Sequence, residues 1–137
     1  MGSQFPPDTG RSAPPTGTVF VVDDDDAVRD SLLVLLTTEG FTTSGFDNCP
    51  AALAAIAQQS PDCLVLDLHL PGMTGAELIK ALGARKIALP VVMITGHIDR
   101  KNRMRAMASG ADVVLHKPLD HAELLAAVHR ACDPPPV

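Results

Sequence analysis

Four aspartates stand in a row at Asp23-Asp24-Asp25-Asp26, directly after the apolar run Thr18-Val19-Phe20-Val21-Val22. Asp67 follows a second run, Cys63-Leu64-Val65-Leu66. Thr95-Gly96 follows a third, Val91-Val92-Met93-Ile94, and Lys117-Pro118 comes just after a shorter one, Val113-Val114-Leu115. Taken singly, these residues have plain readings. An aspartate run after a strand is a solvated turn with a helix cap, here Asp25 or Asp26. Together they deliver acid, acid, hydroxyl and lysine to four segment ends. Two carboxylates about 4 Å apart repel by roughly 4 kcal/mol at an effective dielectric near 20. A rim that gathers several of them needs a cation. Oxygen-only ligands suit Mg²⁺, which keeps waters and accepts phosphate oxygens. A lysine and a hydroxyl opposite would serve the remaining phosphate oxygens. The chemistry indicated is handling of a phosphoryl group.

Convergence of this kind requires a particular scaffold. The apolar runs are short, β-branched and continuous, which suits strands buried on both faces of a parallel sheet. Phe41 to Phe46 is a weaker fifth candidate. Helical patterns fill the gaps. Val28, Leu32, Leu35 and Leu36 follow helical spacing, and Gly40 marks a stop. Pro50 suits the first turn of an alanine-rich helix running to about Gln59. Residues 75–84 put Leu78, Ile79 and Leu82 on one side. Residues 99–109 put Met104 and Met107 together, with Gly110 as the stop. Asp120 can cap a last helix with Glu123 near its start and Leu124, Leu125 and Val128 inward. Five βα units imply an α/β fold, a parallel sheet covered by helices on both faces through right-handed crossovers. In such folds, function sits beyond the carboxyl ends of the strands.

Composition narrows the class. The chain has 137 residues, enough for one domain. A net charge of −5 and 3% aromatic residues argue against a nucleic-acid groove or a base-stacking platform, so direct nucleic-acid binding is not expected. No segment approaches a membrane span and no signal peptide is visible. Cys49, Cys63 and Cys132 are widely spaced with no C-x-x-C, which reads as reduced thiols in a cytoplasmic protein rather than a disulfide framework or a zinc site. Seven of the twelve prolines lie near the ends. Residues 1–17 are expected to be a disordered tail, residues 18–132 the folded domain and residues 133–137 a proline-rich tail.

The matching pieces of a known family are then in view: Val21-Val22-Asp23-Asp24, the loop Leu66-Asp67-Leu68-His69-Leu70-Pro71-Gly72-Met73-Thr74-Gly75, Val92-Met93-Ile94-Thr95-Gly96-His97, and His116-Lys117-Pro118-Leu119. In order, spacing and context they resemble the receiver domain of two-component response regulators, across essentially the whole folded part. Val22 to Leu32 and Ile94 to Asp99 look closest to the FixJ-like subgroup, whose members often carry a C-terminal helix-turn-helix. The resemblance implies a flavodoxin/CheY-like (βα)5 fold with strand order 2-1-3-4-5. It implies that Asp67 accepts a phosphoryl group from a phosphohistidine on a sensor histidine kinase or phosphotransfer protein. Mg²⁺ would be held by Asp24, Asp67 and the backbone carbonyl of His69, with Asp23 acting through a metal-bound water. Lys117 would pair with Asp67 or its phosphoryl group, and Thr95 would donate its hydroxyl to the phosphoryl oxygens. A cis Lys117-Pro118 bond is implied as well. The fourth helix and fifth strand would form a surface for a homodimer or an output domain. No separate enzymatic activity is implied beyond self-phosphotransfer and autodephosphorylation.

Some positions depart from the family pattern or remain open. Val114 stands where the family often has an aromatic residue. His69 and His97 read either as exposed loop histidines or as residues that control the lifetime of an acyl phosphate. Arg100, Lys101, Arg103 and Arg105 read as a solvated helix face or as an interface patch. A haloacid-dehalogenase-type phosphatase would want Asp where His69 stands. A binding-only pseudo-receiver typically lacks one of the residues present here.

Overall fold

The computed structural model describes residues 17–96, 100–108 and 110–132, with the side chains of Arg100, Asn102 and Arg103 excepted. The expectations for the two tails, for His97 and for the Arg100 and Arg103 side chains lie outside the described residues. Five strands alternate with five helices: β1 (Thr18–Val22), α1 (Asp26–Thr38), β2 (Thr42–Phe46), α2 (Cys49–Gln58), β3 (Cys63–Asp67), α3 (Gly75–Ala84), β4 (Val91–Thr95), α4 (Arg100–Ala108), β5 (Val113–His116) and α5 (His121–Cys132). All neighbouring strands are parallel and the sheet order is β2-β1-β3-β4-β5.

Side chains along a strand alternate between faces, and here each face is its own core. Val19, Val21, Cys63, Val65, Val92, Ile94 and Leu115 face Leu32 and Leu36 of α1 and Leu124 and Val128 of α5. Phe20, Val22, Leu64, Leu66, Val91 and Met93 face Ala52 and Ile56 of α2, Leu78 and Leu82 of α3, and Ala106 of α4. The central strands β3 and β4 are buried along their whole length, which explains their unbroken apolar sequence. β2 lies at the sheet edge and is mostly exposed. Its sequence, Thr-Thr-Ser-Gly-Phe, is correspondingly weak as a strand signal. Phe41 precedes the strand and is buried beneath it.

Helix starts are set by capping side chains. Asp25 accepts from the Val28 N–H at 3.1 Å, Asn48 from Ala51 at 2.8 Å and Asp120 from Glu123 at 3.1 Å. Thr74 and Glu77 form a reciprocal box at the start of α3 (2.8 and 3.2 Å). Aspartates also tie down strand starts. Asp62 accepts from the Thr18 N–H at 2.8 Å, and Asp112 from the Val91 N–H at 2.7 Å.

The stripe shared by Met104 and Met107 faces outward, with 61% and 54% of their surface exposed. Ala106 instead meets the core and is fully buried. Periodicity pairs the two methionines but does not say which stripe the sheet takes. A small residue allows the close approach that a methionine would prevent.

Gly75, the first residue of α3, sits where a Cβ would lie 2.9 Å from the Asp67 carbonyl oxygen and 3.2 Å from Leu66 and Met93. This close approach seats α3 against the end of β3. Gly83 in the same helix has nothing within 4 Å of that position. Gly75→Ala is expected to lower stability by about 1–3 kcal/mol through overpacking. Gly83→Ala should raise it by about 0.5–1 kcal/mol. Urea unfolding midpoints of the two variants, moving in opposite directions, check this reading.

Candidate functional site

Because the strands are parallel, their carboxyl ends share one edge of the sheet. β1 ends beside Asp23, β3 ends in Asp67, β4 ends in Thr95 and β5 leads into Lys117. Asp23 is 1% exposed and Asp67 5%, whereas Asp24 is exposed. Carboxylate oxygens of Asp23, Asp24 and Asp67 all lie within 4.8 Å of one another. Lys117 Nζ donates to Asp67 Oδ2 at 3.1 Å and stands 3.7 Å from Asp23 Oδ2. Three acids therefore face one lysine.

Backbone groups orient the two buried carboxylates. The Asp25 N–H donates to Asp23 Oδ1 at 2.9 Å, and the His69 N–H donates to Asp67 Oδ1 at 2.9 Å. Asp23 Oδ2 is buried and has no hydrogen-bond donor among the described residues. Burial raises the Asp23 pKa above its ordinary value, and the Asp67 and Asp24 charges add to the rise. The Asp25 N–H and Lys117 offset only part of it. Burial alone would lower the Lys117 pKa, but its hydrogen bond to Asp67 and the charges of Asp67 and Asp23 outweigh this, and the net shift is upward. The lysine thus stays charged and its contribution to stability persists until pH rises through that raised value.

The orphaned oxygen of Asp23, together with two more carboxylates at hand, fits a small hard cation. The donor set contains only oxygen, as Mg²⁺ prefers.

Thr95 is fully buried at the end of β4. Its strand pairs Ile94 with Asp67, so Thr95 lies one residue beyond the Asp67 level, and its carbonyl accepts from the Lys117 N–H at 2.9 Å. A Cβ on Gly96 would lie 3.8 Å from Lys117 Cδ, so Gly96 lies along the lysine stem. The Lys117-Pro118 peptide is cis, as the resemblance implied. His69 is exposed on the loop after β3, and Val114 is partly buried against the α2–α4 face.

A family model described as the response regulator receiver domain matches residues 19–129. The chain belongs to the response regulator receiver family. The transcriptional regulatory protein FixJ of Bradyrhizobium diazoefficiens is 39% identical over 115 residues, covering 84% of this chain and 56% of that protein. The DNA-binding transcriptional regulator NtrC of Salmonella typhimurium is 41% identical over 84% of this chain but 24% of its own length. The crystal structure of FixJ-N superposes with a TM-score of 0.80 at 37% identity, covering 88% of this chain and 96% of that one. The receiver spans about half the length of the FixJ relatives it matches.

One residue that shapes this receiver's acidic loop escaped the sequence reading. Arg29, in the first turns of α1, donates from Nη1 to the Asp23 carbonyl at 2.8 Å and from Nη2 to Asp26 Oδ1 at 2.6 Å. It closes the loop from inside while neutralising Asp26. A lone arginine among four aspartates carries no signal of its own in the sequence. Its position one turn along the helix from Asp26 is the only hint.

The raised Asp23 pKa has a testable sign. The folded state holds that proton more tightly than the unfolded chain, so stability falls as pH rises from the ordinary carboxylate range through the raised value. In chelator at pH 7, Asp23→Asn should therefore be more stable than the parent. A gain on the order of 1 kcal/mol corresponds to about 4 °C for a domain of this size. The gain should vanish at a pH below the ordinary carboxylate range. Thermal melts across pH, with and without Mg²⁺, check both the sign and the loss of Mg²⁺-dependent stabilisation in the variant.

Proposed function

We propose that residues 18–132 act as a phosphoacceptor module and that Asp67 is the acceptor. The observation that carries this reading is the placement of Asp67. Its carboxylate is nearly buried, held by the His69 N–H and Lys117 and set among two further acids, at the strand end of a receiver fold. A carboxylate oxygen of Asp67 attacks the phosphorus of a phosphohistidine on a sensor histidine kinase or phosphotransfer protein. The P–N bond breaks, the imidazole leaves, and an acyl phosphate forms. Such transfers depend on positioning and charge neutralisation more than on acid–base groups.

Asp23, Asp24, Asp67 and the His69 carbonyl would hold Mg²⁺, which supplies neutralisation of the phosphoryl charge. Lys117 neutralises a second side of the incoming group. The Thr95 hydroxyl then donates to a phosphoryl oxygen, drawing the loop after β4 inward. An apolar groove of about 330 Å³ between α1 and the Pro118 loop, bordered by Ala27, Val28, Ser31, Lys117 and His121, adjoins the rim and would seat the phosphodonor. Exposed Met104 and Met107, with exposed Lys101 and Arg105 on the same helix, would meet a second copy or an output domain. Relatives described as transcriptional regulators support an output in transcription, carried by a part outside this chain and not by nucleic-acid contacts of its own. On this reading the chain acts in the cytoplasm.

Phosphorylation adds about −1.5 to −2 charges and biases two pre-existing conformations. Val114, β-branched and packed against the core, cannot swing as an aromatic side chain does. The response is therefore routed through the loop after Thr95. Amide shifts across residues 110–118 should be smaller than in an aromatic-bearing receiver, and shifts of equal size would overturn this routing.

Intact mass after incubation with Mg²⁺ and acetyl phosphate tests the central reading. One phosphate should be gained, and the gain should disappear with chelator or in Asp67→Asn. Phosphate retained in Asp67→Asn would place the acceptor elsewhere. If acetyl phosphate gives no gain, the same assay with a phosphorylated histidine kinase decides. Failure with both donors would leave a binding-only module.

A further inference from the structure

The acidic loop after β1 is held by a chain of short bonds, and one side chain closes it. The Asp23 N–H donates to the Phe46 carbonyl at 3.0 Å, which ties the loop to the end of β2. The Asp25 N–H donates to Asp23 Oδ1 at 2.9 Å, and the Asp25 carbonyl accepts from the Arg29 N–H at 2.9 Å. Arg29 Nη1 then reaches back to the Asp23 carbonyl at 2.8 Å, while Nη2 donates to Asp26 Oδ1 at 2.6 Å. None of these bonds is made by Asp24 itself. Its place in the cluster with Asp23 and Asp67 follows from the residues that flank it.

We propose that Arg29, seated over Gly45, is a positioning residue for the cation site, holding the Asp23–Asp24 peptide so that the Asp24 carboxylate stands beside Asp23 and Asp67 before any ion arrives. The inference rests on the reading of those three acids as a Mg²⁺ site. Arg29 acts through the backbone and does not touch the ion. A ligand on a loop that is already ordered loses less freedom on binding, so the site binds more tightly.

The seat for the arginine is built by β2. The Arg29 side chain is 17% exposed, whereas that of Asp26 is 83% exposed. A Cβ at Gly45 would lie 3.1 Å from Arg29 Cδ, 3.3 Å from Arg29 Cγ and 2.8 Å from Leu33 Cδ1. The arginine stem therefore crosses the strand where the strand has no side chain. Its planar fork serves a carbonyl and a carboxylate at once, which the point charge of a lysine does not reproduce.

Two effects of Arg29 on a cation oppose each other. Its positive charge repels the ion, and its hold on the loop helps to assemble the ligands. The charge is paired with Asp26, while the bond toward the site goes to a neutral carbonyl. Positioning therefore outweighs repulsion. Salt separates the two, because it screens a charge effect and leaves a fixed backbone in place.

The test is calorimetric titration of the whole chain with Mg²⁺ at low and at high salt. Arg29→Met keeps the stem and loses the fork, and should weaken Mg²⁺ binding by about 10-fold at both salt levels. Gly45→Ala presses on the stem and should act in the same direction by less. Arg29→Lys should fall between the parent and Arg29→Met. Asp26→Asn leaves the carbonyl bond intact and should stay near the parent. In the acetyl phosphate reaction, Arg29→Met should need more Mg²⁺ for half the maximal rate, with the maximal rate close to the parent's. If Arg29→Met does not fold, Arg29→Lys and Gly45→Ala decide. Unchanged or tighter Mg²⁺ binding in these variants, or a loss that disappears at high salt, would overturn the proposal and leave the metal reading standing. A parent that binds no Mg²⁺, or an Asp24→Asn variant that binds it as well as the parent, would overturn the metal reading and the proposal with it.

Discussion

Lys117 reaches two buried carboxylates at once, 3.1 Å from Asp67 and 3.7 Å from Asp23, and the rim is built around that unequal balance. One ammonium cannot neutralise three clustered acids. Burial makes the deficit more costly, because each ionised group has lost water. The outcome is visible in the shifts. Asp23 is driven toward its protonated form while Lys117 is held in its charged one. A site in this condition is poised to take up positive charge, and a newly bound phosphoryl group would demand still more of it. On the proposed reading, affinity for a cation and readiness for phosphoryl transfer would both come from this one electrostatic imbalance.

Holding such an arrangement requires a scaffold that does not yield. The two central strands are buried on both faces, and each face has its own packed layer of helices. Asp67 is the last residue of one of these strands, so its backbone position is set by the core. Gly75 lets α3 close against the Asp67 carbonyl, and Arg29 clasps the Asp23 loop from the first turns of α1. Asp23 and Asp67, the buried acids of the candidate site, therefore sit on or directly beside strands fixed by the core. The opposite edge of the sheet is anchored differently, by Asp62 and Asp112 accepting from the N–H groups that open β1 and β4.

Much of this was legible in the chain. Continuous apolar runs announced strands with two buried faces, and the residues that ended them announced the rim. Capping residues Asp25, Thr74 and Asp120 stood where helices begin. Asp23, Asp24, Asp67 and Lys117 were readable because each sits at a strand end, and parallel strands must bring such ends to one edge. β2 was faint because an edge strand has little to bury and carries polar residues instead. The strand order was supplied by resemblance, since the runs themselves do not say which strand lies beside which.

Other features depend on distance through space and left no local mark. Sequence periodicity paired Met104 with Met107, yet only packing decided that Ala106 would meet the sheet. Arg29 gained its part from the course of the loop before it. Three cysteines at wide spacings looked like unrelated thiols, and the return of α5 across the sheet placed Cys63 and Cys132 in the same core layer. The sequence by itself determined which chemical groups arrive at each end of the sheet, because alternation and capping are local rules. Tertiary structure alone decided how closely they approach and which oxygen is left without a donor among the described residues, because those outcomes follow from packing between elements distant in the chain.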